Sequence, residues 1–476
     1  MTNHQNGDRR KLLARMLREK LTQEEARPES GREPNGDFEA FALPVTQLKS
    51  EILLDPAIRF DAPPVQVDVE PAAVLLTGAT GFLGSFLLYQ LLRQTRARIH
   101  CLLRCSGLEQ GRKRIYGSLE RYGLAGGYDA SRVVPVQGDV SQPLFGLTAA
   151  AFERLSMGVD AVYHNAAVVN WVYNYAQLKP TNVLGAQEAI RLAACGKLKP
   201  LHYISTVAAC PLEDAFDVTI VPEAPLASDT GVLYGGYPQS KWVAEQLTLR
   251  ANAAGLPLRI YRPGIISGHS RTGACNVNDA TSRMIKMAVD LGVAPDLDAA
   301  VDMTPIDYVS RAIVHLSSLN RAPGTIYHLA NSGPVRSSDL VAWIRSFGYP
   351  MRLVPYEVWR SDMVGLAKRT RRNPLSTLTP LFSMVVSDKL PAWTGKTVAA
   401  CFQNTMDRLI GEVAAMYGRK TVQLDCRVAR RDLAGTSILC PAVDEQLLHT
   451  YLAFFVRVGF IGPPATASRA GVAKAW

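Results

Sequence analysis

The sequence lacks the marks of several protein classes. No stretch approaches ~18 uninterrupted apolar residues, so no membrane-spanning helix is expected. Charged residues run from Asp8 to Lys20, without the apolar core of a signal peptide. The eight cysteines are scattered and form no CxxC pair, which argues against a disulfide framework and against a metal site. Reduced thiols of a cytoplasmic protein are the expectation. Zinc-finger spacing and long Lys/Arg tracts are also missing, so nucleic acid is not an expected partner. There is no internal repeat.

What remains is ordinary globular material, 47% hydrophobic and 20% charged, in a chain of 476 residues. That length suggests two to three folding units. The net charge of +10 favours acidic partners such as nucleotides, phosphate-bearing cofactors or an acidic protein.

Near the start, Leu12, Leu13, Met16, Leu17 and Leu21 recur at helical spacing opposite Arg9, Arg10, Lys11, Arg15, Arg18 and Lys20. This reads as a short basic amphipathic helix, followed by a polar linker over 25–37. Strands are expected at 72–77, 98–104, 133–136, 161–164, 201–205 and 258–261, with helices between them at 82–92, 184–194 and 240–254. The alternation argues for a doubly wound parallel sheet, an α/β Rossmann fold. Beyond about residue 268 the pattern turns mainly helical (282–291, 338–347, 399–417, 443–458), with strand-like returns at 301–308 and 325–329. The expected division is 1–45 for helix and linker, 46–270 for the nucleotide-binding domain and 271–476 for a mostly helical substrate domain.

The run Thr77-Gly78-Ala79-Thr80-Gly81-Phe82-Leu83-Gly84 leaves the first strand and opens a helix. Glycines there allow a tight turn, close approach to a pyrophosphate and close helix–strand packing, and the helix N-terminus favours phosphate. An NAD site usually carries Asp or Glu about 20 residues on, to bind the ribose 2′-hydroxyl. Here Arg104 stands at the end of the second strand, with Arg112, Lys113 and Arg114 close behind. A guanidinium can pair with a 2′-phosphate, so NADPH is the expected cofactor, with Arg104 and Arg114 as the clamp; solvated surface arginines are the alternative. Asp139, in Gly138-Asp139-Val140, is placed for an adenine-edge contact, and Asn165-Ala166-Ala167 for the nicotinamide half.

Tyr237 and Lys241 lie four apart, on one face of a helix. Upstream, Ser205-Thr206 ends a strand. This trio suits carbonyl reduction. Hydride attack builds negative charge on oxygen, Tyr237 supplies a proton, Lys241 stabilises the phenolate and Thr206 donates a hydrogen bond. Ser205 is the alternative hydroxyl. His202 is expected to point into the fold.

Together these residues resemble the extended short-chain dehydrogenase/reductases, and within them the thioester reductase domains that end peptide and polyketide assembly lines and carboxylic acid reductases. The resemblance is carried by VLLTGATGFLGSFLLYQLL (74–92), CLLRC and SLERYGL (within 101–124), VYHNAAVVNWVYNY (162–175), TNVLGAQEAIRLA (181–193), YISTVA (203–208), GYPQSKWVAE (236–245) and YRPGIISGHSRTG (261–273), and spans roughly 51–460. It implies that Thr206, Tyr237 and Lys241 are catalytic. It also implies that Val140, Asn182 and Pro263 join the glycine turn around the cofactor. The implied substrate is an acyl or peptidyl thioester on a carrier protein's phosphopantetheine arm, released as an aldehyde and in some relatives reduced on to an alcohol. A monomer that meets its carrier in trans is the expectation. The basic helix is a candidate for that contact, the alternatives being a helix that packs on its own domain or frays, or one that lies on a membrane surface; the groups Lys368-Arg369, Arg371-Arg372, Arg427 and Arg430-Arg431 are further candidates, or solvated surface. A fatty acyl-CoA reductase, a sugar-nucleotide epimerase or dehydratase, and a non-catalytic NADP(H) sensor are the rival readings.

Overall fold

Seven short apolar runs become the seven parallel strands of one sheet: β1 (Ala73–Thr77), β2 (Arg98–Leu103), β3 (Val133–Gln137), β4 (Ala161–His164), β5 (Leu201–Ile204), β6 (Leu258–Pro263) and β7 (Thr325–Leu329). The computed structural model describes residues 42–64, 70–171, 173–211, 219–226, 229–296, 300–331, 333, 335–355, 358–359 and 422–464. The basic segment 9–21, the linker 25–37, the expected helix 399–417 and the basic pairs at 368–369 and 371–372 lie outside the described residues.

The strand order is β3-β2-β1-β4-β5-β6-β7. The order reverses between β1 and β4, which leaves a crevice at the carboxyl ends of those strands. Register is set by apolar pairs: Leu76 stands opposite Cys101 on β2 and Tyr163 on β4. Side chains alternate between the two faces, as the pleat demands. Val74 and Leu76 enter one core with Phe86 and Ile313, while Leu75 enters the other with Ile190 and Trp242.

The helices supply those faces. They are α1 (Phe82–Gln94), α2 (Leu108–Arg121), α3 (Ala149–Gly158), α4 (Gly185–Ala194), α5 (Gly236–Ala253), α6 (Ala280–Leu291), α7 (Ile306–Ser318), α8 (Ser337–Ser346) and α9 (Glu445–Arg457). α1 and α7 cover one face of the sheet, and α4 and α5 the other. α4 continues a helix that begins at Tyr175–Lys179 and passes through a π-helical turn at Pro180–Leu184. Among the described residues, no helix is long and apolar enough to cross a membrane, and no cluster of His, Cys, Asp and Glu could hold a metal ion.

The expected strand at 301–308 breaks into three parts. Ala300–Val301 pairs with Val335–Arg336, Thr304–Pro305 pairs with Ile266–Ser267, and Ile306 opens α7. The reason is local. Pro305, at φ −59°, ends extended chain and precedes a helix whose Ile306, Val309, Ile313 and Leu316 all face inward. Residues 325–329 do return to the sheet, beside β6.

α5 is almost wholly buried, and besides its apolar packing an ion pair ties it to the sheet. Glu245 accepts from Arg262 on β6 at 2.6 and 3.2 Å, and neither side chain is exposed. The second carboxylate oxygen also accepts from Ser205 Oγ at 2.5 Å. Arg262 further donates to the Ala224 carbonyl at 2.9 Å and to His328 Nε2 on β7 at 3.0 Å. Removing one partner strands a charge in the core. Arg262→Ala should therefore lower unfolding free energy by ~3–5 kcal/mol. Urea denaturation measures this, and an unshifted midpoint would contradict the assignment.

Candidate active site

The carboxyl ends of β1, β2, β4, β5 and β6 open into one cavity of about 920 Å³. The turn after β1 forms its floor. Gly78 has φ +72°, and a Cβ there would come within 2.9 Å of the Ala166 backbone, so only glycine fits. Gly81 N donates to Gly78 O at 3.0 Å, closing the turn. Gly81 then precedes α1 with no side chain capping the helix, and Gly81, Phe82 and Leu83 line the cavity wall. First-turn amides without an intrahelical acceptor are a cradle for phosphate oxygens. A turn that any Cβ would fill, backed by those amides, fits the pyrophosphate of a dinucleotide.

Seventeen of the candidate site residues read from sequence line this cavity: Gly78, Thr80, Gly81, Phe82, Leu83, Arg104, Arg114, Asp139, Val140, Asn165, Ala166, Ala167, Ser205, Thr206, Tyr237, Lys241 and Pro263. Three others lie behind the wall and act on it indirectly. Thr77 is fully buried; its hydroxyl accepts from Asn165 N at 3.1 Å and Ala166 N at 3.0 Å, and meets His164 Nδ1 at 3.1 Å, tying β1 to the end of β4. A Cβ on Gly84 would fall 1.9 Å from Gly78 O, so this glycine lets α1 pack on the turn. Asn182 brackets the loop after β4, accepting from Val168 N at 2.8 Å and donating to Val168 O at 3.1 Å and Ser240 Oγ at 2.9 Å.

Arg104 and Arg114 are exposed at one end of the cavity, and the Arg114 guanidinium donates to the Arg104 carbonyl. Among the described residues neither is in an ion pair. Asp139 accepts from Ser141 N at 3.0 Å and Ser141 Oγ at 2.8 Å, so one carboxylate oxygen already serves its own turn. Two of the basic groups near the C-terminus are neutralised locally, Arg427 by Asp425 and Arg431 by Asp432, whereas Arg430 is exposed.

At the cavity's centre β5 and the first turns of α5 meet. Burial pushes the Tyr237 phenol up to about 12, and a hydrogen bond with the Thr206 hydroxyl pulls the other way. Thr206 also accepts from Ala208 N at 3.2 Å, which fixes its side chain at the strand end. Lys241 Nζ donates to Ile204 O at 2.7 Å and stands 4.3 Å from the centre of the Tyr203 ring. Burial lowers its pKa to about 7, opposed by the charge of Glu245. The Ser205 hydroxyl donates to Glu245, so of the two adjacent hydroxyls it is Thr206 that partners the phenol. His202 points inward, 3.1 Å from Tyr261 Oη.

Sequence reasoning passed over Trp171. Its ring meets Tyr237 edge-on, with centroids 5.3 Å apart at 67°, and it lines the cavity. The available signal was an indole in the loop after β4. The assembled group can hold a carbonyl oxygen, give it a proton and steady the resulting charge in a partly enclosed cavity.

Residues 76–313 match the Male sterility protein family. A component of linear gramicidin synthase from Brevibacillus parabrevis is 38% identical over 414 residues, 87% of this chain and 8% of that protein. Isonitrile lipopeptide synthase of Streptomyces coeruleorubidus is 33% identical over 458 residues, 95% of this chain and 28% of that protein. The chain therefore spans under a third of either relative. Among solved structures, the terminal R domain from the myxalamid PKS-NRPS biosynthetic pathway is similar at 40% identity and TM-score 0.75, over 88% of this chain and 99% of that one. With a glycine cradle for a dinucleotide and a Thr–Tyr–Lys group in the same cavity, the chain belongs to the Male sterility protein family, as an oxidoreductase of the extended short-chain dehydrogenase/reductase fold that uses a nicotinamide cofactor.

Proposed function

We propose that this protein uses NADPH to reduce an acyl or peptidyl thioester presented on a carrier protein, releasing an aldehyde. The observation that carries the reading is the Tyr237 phenol, held between Thr206 and Trp171 in the cavity that begins at the glycine turn. The relatives named above are two synthases and the terminal R domain of a separate PKS-NRPS pathway, which supports a carrier-bound substrate.

The residues divide the work by position. Gly78, Gly81, Phe82 and Leu83 would hold the pyrophosphate, and Arg104 with Arg114 the 2′-phosphate. When bound, the dihydronicotinamide supplies a hydride. Thr206 donates to the carbonyl oxygen as charge gathers there. Tyr237 Oη then gives that oxygen its proton, and the Lys241 cation lowers the cost of the phenolate left behind. As the carbon–sulfur bond breaks, the new hydroxyl returns its proton to the Tyr237 phenolate and the departing sulfur takes a proton from solvent, so the aldehyde is freed and the arm leaves as a thiol. Trp171 and the buried phenol keep water from hydrolysing the thioester first.

Tyr237→Phe should bind NADPH as the wild type does yet lose roughly 10²–10⁴-fold in turnover, the usual contribution of a placed general acid. Fluorescence titration and steady-state rates together check this; undiminished turnover removes the mechanism. Arg104→Ala should weaken NADPH by about 10–100-fold while leaving NADH little changed, as expected for a lost charge-assisted contact to phosphate. Equal losses for both coenzymes would exclude the clamp. Lys241 is cationic below about 7 and neutral above it, while Tyr237, at about 12, keeps its proton throughout. kcat/KM for reduction should therefore be level in mild acid and fall as pH rises through about 7. A profile flat well into the alkaline range would contradict the role of the lysine.

A further inference from the structure

The cavity does not stop at the phenol. It continues between α6 and α8, and each helix turns one face towards it. On α6 that face is Thr281, Met284, Ile285 and Ala288; on α8 it is Ser337, Leu340, Val341 and Ile344. Both sets fall at i, i+3, i+4 and i+7, one stripe of a helix. In both the first residue is a hydroxyl and the other three are apolar. Met287, Met303 and Trp359, all buried, complete the wall.

Among the described residues, positive charge is confined to the other end. The cations in the lining are Arg104, Arg114 and Lys241, all at the cofactor and phenol. Two carboxylates do reach this limb, but each is already used by the fold. Asp279 caps α6, accepting from Ser282 N at 2.7 Å. Asp302 accepts from Ile265 N and from Thr304 Oγ1, both at 2.9 Å. An anionic group entering here would lose its water and find no described cation, and a cationic one would have to compete for carboxylates already committed to backbone and hydroxyl donors. A hydrocarbon chain would lose nothing and would bury its surface against thioethers and branched side chains. Methionine side chains also adapt their shape to such an occupant.

We infer that the limb between α6 and α8 binds the acyl chain of the substrate, and that this chain is aliphatic and uncharged. The inference rests on the thioester reading above. It makes Met284, Ile285, Ala288, Leu340 and Ile344 the residues that set specificity.

The test uses the full chain with NADPH and synthetic pantetheine thioesters running from acetyl to dodecanoyl, with glutaryl and 6-aminohexanoyl thioesters as charged counterparts. kcat/KM should rise about three- to fourfold per methylene until the limb is full, the gain expected from moving each CH₂ out of water. The charged thioesters should fall about tenfold or more below aliphatic ones of equal length. Ala288→Trp, which fills the limb, should cut the ratio of long-chain to short-chain kcat/KM about tenfold. If that variant does not fold, the wild-type chain-length series decides alone. Reduction of every thioester at one rate, whatever its length or charge, overturns this inference and leaves the thioester reading standing. Reduction of none overturns both.

Discussion

Glu245 and Arg262 hold the proposed catalytic edge of the molecule in one arrangement. Their pair lies out of reach of water, and Ser205, Ala224 and His328 supply its further hydrogen bonds. Such a pair is of little use as a source of stability compared with apolar packing, but it is unforgiving of misplacement, because either charge left alone in the core is costly. It joins α5 to the ends of β5, β6 and β7 at once. Tyr237 and Lys241 lie two turns and one turn earlier on that helix, so fixing Glu245 fixes where the phenol and the ammonium stand relative to Thr206. The same contact commits the Ser205 hydroxyl to Glu245 and leaves that of Thr206 to partner the phenol.

Burial then sets the chemistry. It drives Tyr237 up to about 12 and Lys241 down to about 7, in both cases towards the neutral form. A phenol kept protonated is a donor in waiting, and a lysine poised near neutrality can place a charge beside it when one is needed. The two groups share a helix face, so one helix carries both the proton and the means of stabilising its loss. Across the switch point, the Gly78 cradle and the uncapped start of α1 present amides to phosphate. On the proposed mechanism, reduction chemistry and cofactor binding meet at one crevice because the strand order reverses there.

The strands of the sheet were readable because each is a short, mostly apolar run followed by a turn. The glycine cradle and the Tyr–Lys spacing were readable because their chemistry is written within eight residues or fewer. What escaped was non-local. Nothing near Ser205 announces that its partner is Glu245, forty positions on, or that Trp171 will lean on Tyr237. Thr77, Gly84 and Asn182 belong to the same motifs as the lining residues, and only the fold shows that they brace the wall instead of forming it. At 301–308, β-branched and aromatic residues imitate a strand; the helical stripe of Ile306, Val309, Ile313 and Leu316 becomes clear once Pro305 is seen to start a helix. The matching faces of α6 and α8 were present as periodicity, but that they confront one another across a cavity is a property of the tertiary structure.

Reductive cleavage at a thioester carbon is the central claim. Its most direct test supplies a decanoyl-loaded carrier protein together with NADPH bearing deuterium at the transferable position, and follows both products by mass spectrometry. The expected result is decanal carrying a single deuterium on its carbonyl carbon, with free carrier thiol formed in equal amount. Release of unlabelled decanoic acid, or of thiol without label transfer, would contradict it.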